Sequence, residues 1–395
     1  MGGGFGGVAV ARALAKYRNP RLSITLVSDK PHLEYYPALY RTATGRSVNE
    51  VCIAFTDIFR GLPVTVAGDR IEAIDTAARS ARGRRGSYPY DYAVLALGSV
   101  PAYFGIPGLP KHSFRFASTA DALLLRNRIH TLLGLEEITP PDGAHATIAI
   151  IGAGPSGVEL AGELASYLHS LKETHGRGLR VLLIEALAEV LPGFSPSVQK
   201  RVRRRLQKLG VGVITGKKLE EVHEGVIVLA GETVRTAATI WTAGMRPATL
   251  PTEPPLLRDT GGRLVVDEYL RVRGAEEIYA IGDNAATPWS GMAQTAILDA
   301  NCAAENIIRS LSHKPLVSYR HKKPDYAIPV GGPYAVVLAG GLSFFGIMGW
   351  MLRRAADLRY LLSILPPLKA IRTWHGGKTV CESCRICVTE DMERR

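Results

Sequence analysis

Apolar residues gather in two rhythms along this chain. Runs rich in aliphatic and β-branched side chains at 22–27, 146–151 and 179–184, with shorter ones at 94–97, 240–243 and 277–281, predict strands. Stretches with helical spacing fall between them: an alanine-rich segment after Gly7, a helix opening at 158–165, and a helix carrying Val198, Val202, Leu206 and Leu209 that stops at Gly210. Strand, helix and strand alternate in two separate places, which predicts an α/β fold with two βαβ units.

Each unit has a glycine-rich turn where its first helix begins. Gly2, Gly4 and Gly7, with Phe5 and Gly6 between, fit GxGxxG, and Gly152, Gly154 and Gly157 fit it again about 150 residues later. The chemistry explains the spacing. The first glycine makes the turn, the second lets backbone approach a pyrophosphate, and the third lets helix and strand pack closely, while the helix N-terminus faces the anion. An acid follows each second strand, Asp29 after the first and Glu185 after the second, near the place of a carboxylate that accepts ribose hydroxyls. Glu185 would repel a 2′-phosphate, and Ala186-Leu187-Ala188 offers no arginine to hold one, so NADH is favoured over NADPH at the second turn. The strand that should lead into the first turn is missing, since only Met1 precedes Gly2; the expectation is a natural start further upstream.

The order of these signals is specific. The first GxGxxG, Val94-Leu95-Ala96-Leu97-Gly98-Ser99, the second GxGxxG, Ile240-Trp241-Thr242-Ala243-Gly244 and Ile281-Gly282-Asp283 together resemble the pyridine-nucleotide flavoprotein reductases. Within them, Tyr36-Pro37-Ala38-Leu39-Tyr40, Ala43-Thr44-Gly45, Tyr103-Phe104-Gly105-Ile106-Pro107-Gly108 and a hydrophobic, basic C-terminus are most similar to the type II NADH:quinone dehydrogenases. The resemblance implies FAD on Gly2, Gly4, Phe5, Gly6, Gly7 and Asp29, with Gly98, Gly282 and Asp283 along the rest of the flavin. It implies NADH on Gly152, Gly154, Gly157, Glu185 and Gly244, and Glu159 where nicotinamide meets the flavin ring. Ser28 fills the commonest ribose position, with the acid one residue later. Glu159 also reads simply as an acid in a first helical turn.

The acceptor must be read from other residues. Disulfide reductases need a cysteine pair beside the flavin, whereas here no cysteine lies between Cys52 and Cys302, which excludes that chemistry and fits sulfide:quinone reductases poorly. The family's quinone segment AQxAxQ begins here as Ala293-Gln294-Thr295-Ala296, with Leu298 in place of the last glutamine. Gln294 equally suits a helix N-terminal hydrogen-bonding residue without a ligand.

Residues 327–352 hold no charged side chain or histidine, long enough for a membrane span, yet six glycines and two prolines interrupt any helix there. The reading preferred is a buried strand and turn followed by an amphipathic helix over 344–364, lying in the headgroup layer with Trp350, Tyr360, Arg353, Arg354 and Arg359. Cys381, Cys384 and Cys387 form CxxCxxC, which lacks a fourth metal ligand unless His375 or another subunit supplies it; a solvated tail is the preferred reading, and no metal site is expected.

Composition narrows the partners. With 46% apolar and 21% charged residues the chain is neither fibrous nor disordered, and 395 residues call for two domains and an appendage. The net charge of +12 suits an anionic partner, whether nucleic acid, acidic lipid or a phosphorylated cofactor, and would assist the amphipathic helix on anionic lipid; the run Lys200, Arg201, Arg203, Arg204, Arg205 and Lys208 reads as a solvated helix face rather than a nucleic-acid patch. Five cysteines that form no evenly spread framework, and the lack of a signal peptide before the first motif, suit the cytoplasm. The layout expected is an FAD-binding part over 1–118, an NAD(P)H-binding Rossmann domain over 119–246, a second FAD-binding part over 247–325 and a membrane-associating helical region over 326–395. The function expected is a peripheral, homodimeric enzyme on the cytoplasmic face of the cell membrane, moving electrons from NADH through FAD to quinone without pumping protons. A soluble flavin reductase with a protein or oxygen acceptor, and a redox-responsive binding flavoprotein resembling apoptosis-inducing factor, remain as alternatives.

Overall fold

The computed structural model describes residues 1–134, 146–175 and 179–376. In chain order, the elements that matter below are α1 (Phe5–Lys16), β1 (Thr25–Ser28), β2 (Thr65–Gly68), β3 (Ala93–Leu95), β4 (Phe114–Arg115), β5 (Thr147–Ile151), α2 (Pro155–His175), β6 (Arg180–Glu185), α3 (Pro196–Lys208), β7 (Gly212–Thr215) and β8 (Ala238–Trp241). They continue with β9 (Ala275–Ala280), α4 (Ala293–Leu311), β10 (Tyr326–Pro329), β11 (Ala335–Ala339), β12 (Leu342–Phe345), α5 (Gly346–Ile364) and α6 (Pro367–Gly376). These fall into two compact units, the first comprising Met1–Glu34, Ile53–Val100 and Met245–Pro324, the second Tyr35–Cys52, Pro101–Gly244 and Asp325–Arg395.

In the first unit β1 pairs parallel with β2, and β3 pairs parallel with β9. The backbone of Met1 and Gly2 ties the two pairs together, because the Gly2 amide donates to the Val27 carbonyl at 2.8 Å and the Ala96 amide to the Met1 carbonyl at 3.0 Å. Val27, Ile71, Ile74, Leu95, Leu264 and Ile278 form the core under them. Helix α1 packs on α4, and both carry small buried residues, Val8, Ala11 and Ala15 on the one and Ala300, Ala303 and Ala304 on the other. Alanine lets helix axes approach closely.

The second unit is built on a five-stranded parallel sheet in the order β4-β8-β5-β6-β7. Ile148, Ala149 and Ile150 of β5 are fully buried, as a central strand covered on both faces must be. The order reverses beside β5: the chain moves outward to β6 and β7, then returns to β8 on its other side. That is the switch point where open α/β sheets bind ligands, outside the carboxyl ends of the strands. Helix α3 shows how local sequence sets the elements. Pro196 sits at its first position, Val198, Val202 and Leu206 are buried at four-residue spacing, and Gly210 at φ +79° ends it.

The basic run on α3 is only partly the solvated face expected. Arg203 reaches Glu189 and Thr215, Arg205 donates to the Val330 and Gly331 carbonyls, and the Arg201 guanidinium lies 4.4 Å from the Phe345 ring centre. Arg201 and Arg205 thereby hold the antiparallel sheet β10-β11-β12 against α3. Gly162 of α2 and Gly331 also meet backbone to backbone, where a Cβ on Gly331 would stand 2.3 Å from the Gly162 carbonyl oxygen.

The uncharged stretch 327–352 forms β10, β11, β12 and the first turns of α5; among the described residues no helix is long and apolar enough to cross a membrane. One expectation is reversed here. Arg353 and Arg354 were expected to face lipid headgroups, but each is only 7% exposed and points into the unit. The outer faces of α5 and α6 carry Ile347, Met348, Met351, Leu352, Leu362, Leu368 and Ile371 instead, with exposures from 40% to 75%.

Two dinucleotide cradles as the candidate functional site

The turn from β5 into α2 fits the pattern expected of a pyrophosphate cradle. Gly152 adopts φ +106°, and a Cβ there would lie 2.7 Å from the Ala243 Cα; a Cβ on Gly157 would lie 1.8 Å from the Gly152 oxygen. Gly154 differs from both, because a Cβ at that position meets nothing within 4 Å. The first and third glycines are thus required by packing, and the second keeps backbone bare toward open space at the N-terminus of a long helix. Glu185, the last residue of β6, accepts from the Ala153 amide at 2.7 Å and the Leu187 amide at 3.0 Å, which fixes its carboxylate beside the turn. Thr242, just past β8, donates to the Ile151 and Gly152 carbonyls at 2.8 and 2.9 Å and so joins the two sides of the switch point.

The first unit repeats this geometry. Gly2 has φ +99° and would place a Cβ 2.1 Å from the Ala96 oxygen, Gly7 would place one 1.9 Å from the Gly2 oxygen, and Gly4 again meets nothing within 4 Å. Phe5 and Gly6 open α1 and are buried. Ser28 ends β1 and is buried, whereas Asp29 lies one residue beyond and is exposed. Gly98 follows β3 and is clasped by Asn284, which accepts from its amide at 3.1 Å and donates to the Ala248 carbonyl at 2.8 Å. Asp283 falls in the 3-10 turn Gly282–Asn284 rather than on a strand end, and is half-buried. The Gly282 amide donates to the fully buried Asp299 on α4 at 2.8 Å, and burial raises that carboxyl above its usual range. Ala293 and Gln294 begin α4 in the same unit, Gln294 exposed.

Sequence reasoning missed Asn284 and Asp299, which fix Gly98 and Gly282. A hint was available for Asn284, a buried amide directly after a glycine and an acid at a strand end; a lone acid on the alanine-rich face of α4 gave none until its burial was known.

Glu159 lies in the second turn of α2 rather than in the first, where the sequence suggested an acid, and it stands by a buried charge cluster of the second unit. Burial pushes its carboxyl up to about 7, opposed by Arg353 and Arg41 and assisted by Asp357. In the cluster, Glu50 accepts from Arg41 at 2.5 Å and Arg354 at 2.7 Å, and Asp357 forms an ion pair with Arg353 at 3.0 Å and accepts from the Tyr35 hydroxyl at 2.6 Å. The Arg354 guanidinium also lies 4.4 Å from the Trp374 ring centre. No disulfide joins the described cysteines Cys52 and Cys302; Cys381, Cys384 and Cys387 lie outside the described residues.

Each unit thus carries a Rossmann-type glycine turn, and the two turns match in geometry. Residues 1–303 match the pyridine nucleotide-disulphide oxidoreductases, and the chain belongs to that family. It is 28% identical to the type II NADH:quinone oxidoreductase Ndh of Mycobacterium tuberculosis over 95% of this chain and 86% of that protein. An NADH dehydrogenase-like protein of the same species is 31% identical over 86% of this chain and 87% of its own length. Among solved structures, that of NDH2 from Plasmodium falciparum in complex with NADH has the same fold, with a TM-score of 0.83 at 17% identity, covering 96% of this chain and 97% of that one.

Proposed function

We propose that this chain is an FAD-dependent NADH dehydrogenase that delivers electrons to a quinone at a membrane surface without pumping protons. The observation that carries the reading is the doubled cradle, of which the second ends on an acid already fixed to receive ribose hydroxyls. In this reading Gly2, Gly4, Phe5, Gly6 and Gly7 hold the FAD pyrophosphate at the N-terminus of α1, Asp29 serves its ribose, and Gly98, Gly282 and Asp283 serve the ribityl side. Gly152, Gly154 and Gly157 hold the NADH pyrophosphate, Glu185 selects the unphosphorylated ribose, and Gly244 lies on the opposite rim. Bound FAD would supply the redox chemistry, taking a hydride from NADH and releasing the electrons to the acceptor. Glu159, with its carboxyl near 7, exchanges a proton easily at neutral pH.

The acceptor reading draws support from the names of the relatives and from the lack of any cysteine between Cys52 and Cys302, which leaves no thiol pair of the disulfide-reductase kind. Ala293 and Gln294 serve the quinone end. The apolar outer faces of α5 and α6, in a chain of net charge +12, support peripheral attachment to an anionic leaflet; the cytoplasmic side and a homodimeric assembly are parts of the same proposal. The test is NADH oxidation by purified, FAD-loaded protein with short-chain quinone, ferricyanide or oxygen as acceptor, alongside membrane fractionation. Quinone should support the fastest turnover and the protein should sediment with membranes. Turnover with oxygen alone, or recovery wholly in the soluble fraction, would reject the reading.

A further inference from the structure

Phe104 has an unusual setting. Its ring is 71% exposed, more than any other aromatic among the exposed residues described, and its backbone sits at φ +50°, a left-handed conformation that bulky side chains rarely adopt. The surrounding loop is not loose. The Ala102 amide donates to the Gly244 carbonyl at 3.0 Å, the Trp241 indole donates to the Ala102 carbonyl at 3.0 Å, and the Ile106 amide closes a turn on the Tyr103 carbonyl at 3.0 Å. A solvent-facing phenyl ring is therefore held in place by backbone that is strained to present it, and such strain gathers at ligand clamps.

The ring lies on the rim of the second unit's cradle. It packs over Gly244, where a Cβ would stand 2.4 Å from the ring, and meets Trp241 edge to face at 6.2 Å between centres. Gly244 follows Ala243, whose Cα is the atom that a Cβ on Gly152 would strike, and Thr242, which is hydrogen-bonded to the Gly152 carbonyl. Phe104 thus borders the switch-point crevice on its β8 side, while Glu185 borders it on the β6 side. A dinucleotide whose adenosine ribose is on Glu185 and whose pyrophosphate is on Gly154 must extend its other half toward β8.

We propose that Phe104 is a positioning residue for the nicotinamide half of the bound dinucleotide, its ring stacking on the pyridine ring; this rests on the NADH reading above. The oxidised pyridine ring is cationic, so the negative face of a phenyl group attracts it as well as shielding it from water. Glycine at 244 follows from the same design, since any side chain there would push the ring off the rim.

The test is equilibrium binding by calorimetry to the FAD-loaded full chain, with NAD⁺ and with ADP-ribose, which lacks only the nicotinamide. Phe104→Leu should weaken NAD⁺ by about two- to tenfold and leave ADP-ribose unchanged. Phe104→Tyr, which keeps the ring, should bind both as the natural chain does, and matching melting temperatures show that both variants are folded. Unchanged NAD⁺ affinity in Phe104→Leu, or equal loss of both ligands, overturns the stacking role. Failure of the natural chain itself to bind NAD⁺ would instead sink the NADH reading.

Discussion

The charge cluster under α5 makes a quantitative demand on stability. Asp357 is fully buried and faces three guanidinium groups, Arg353 at 3.0 Å, Arg41 at 3.6 Å and Arg354 at 3.8 Å, besides the Tyr35 hydroxyl at 2.6 Å. In Asp357→Leu these three cations would share only Glu50 among the cluster's carboxylates. Removing one partner of a buried ion pair costs about 3–5 kcal/mol, since the remaining charge stays desolvated. For a unit of this size each kcal/mol lowers the melting temperature by about 2–4 °C, so a fall of roughly 6–20 °C is expected by scanning fluorimetry. Limited trypsinolysis should report the same event locally, with cuts at Arg353 and Arg354 that burial prevents in the natural chain. The double variant Asp357→Leu/Arg353→Leu replaces an ion pair with apolar bulk and should recover most of the loss. A single variant that melts within about 2 °C of the natural chain, or a double variant no better than the single, refutes this account of the cluster.

The two kinds of cradle glycine should separate in the same assays. Gly154→Ala and Gly4→Ala add a methyl to open space and should melt normally while losing NAD⁺ and FAD affinity respectively, by about tenfold or more; Gly157→Ala and Gly7→Ala should be destabilised, because the added carbon meets a carbonyl at 1.8 and 1.9 Å. Normal nucleotide affinity in Gly154→Ala would remove the pyrophosphate from that turn. Burial lifts the Glu159 carboxyl from its ordinary 4.5 to about 7, so across that window the folded chain holds a proton that the unfolded chain has released, and stability falls as pH rises. Glu159→Gln abolishes that cost and should melt above the natural chain at pH 8, with a gap that narrows toward pH 5; a gap independent of pH contradicts it. Met351→Glu with Leu368→Glu, which removes apolar surface and adds charge that an anionic leaflet repels, should abolish flotation with phosphatidylglycerol vesicles yet preserve turnover of a water-soluble quinone, and undiminished flotation would move the membrane contact elsewhere.

What could be read from sequence was what the backbone dictates locally. A turn that must take φ near +100°, leave one bare amide and admit a helix against a strand accepts only glycine at fixed spacing, so both cradles are visible in the letters, as is an acid at the end of the second strand. Asn284 and Asp299 act on backbone groups distant in sequence and leave no such pattern. Phe104 lies within Tyr103-Phe104-Gly105-Ile106-Pro107-Gly108, but nothing in that motif says that its ring is exposed over Gly244.

Helix α5 shows why the remainder was misread. Charges on a helix are assigned to solvent by default, because an isolated buried charge is too costly to expect. Arg354 and Asp357 escape the rule through partners Glu50 and Tyr35, which are 304 and 322 residues away, beyond the reach of any periodicity. The outcome is a helix turned inside out, with ions inward and methionine, isoleucine and leucine outward. Apolar side chains seat only its C-terminal end, where Leu361 and Ile364 are buried; before them the inward residues are Gly349, Arg353, Arg354 and Asp357. The ion cluster selects the face turned inward, and by doing so leaves the apolar face available to a bilayer. The two features are therefore one design: weakening the inner ions should loosen the outer face as well, which is why the Asp357 and Met351 variants probe a single helix from opposite sides.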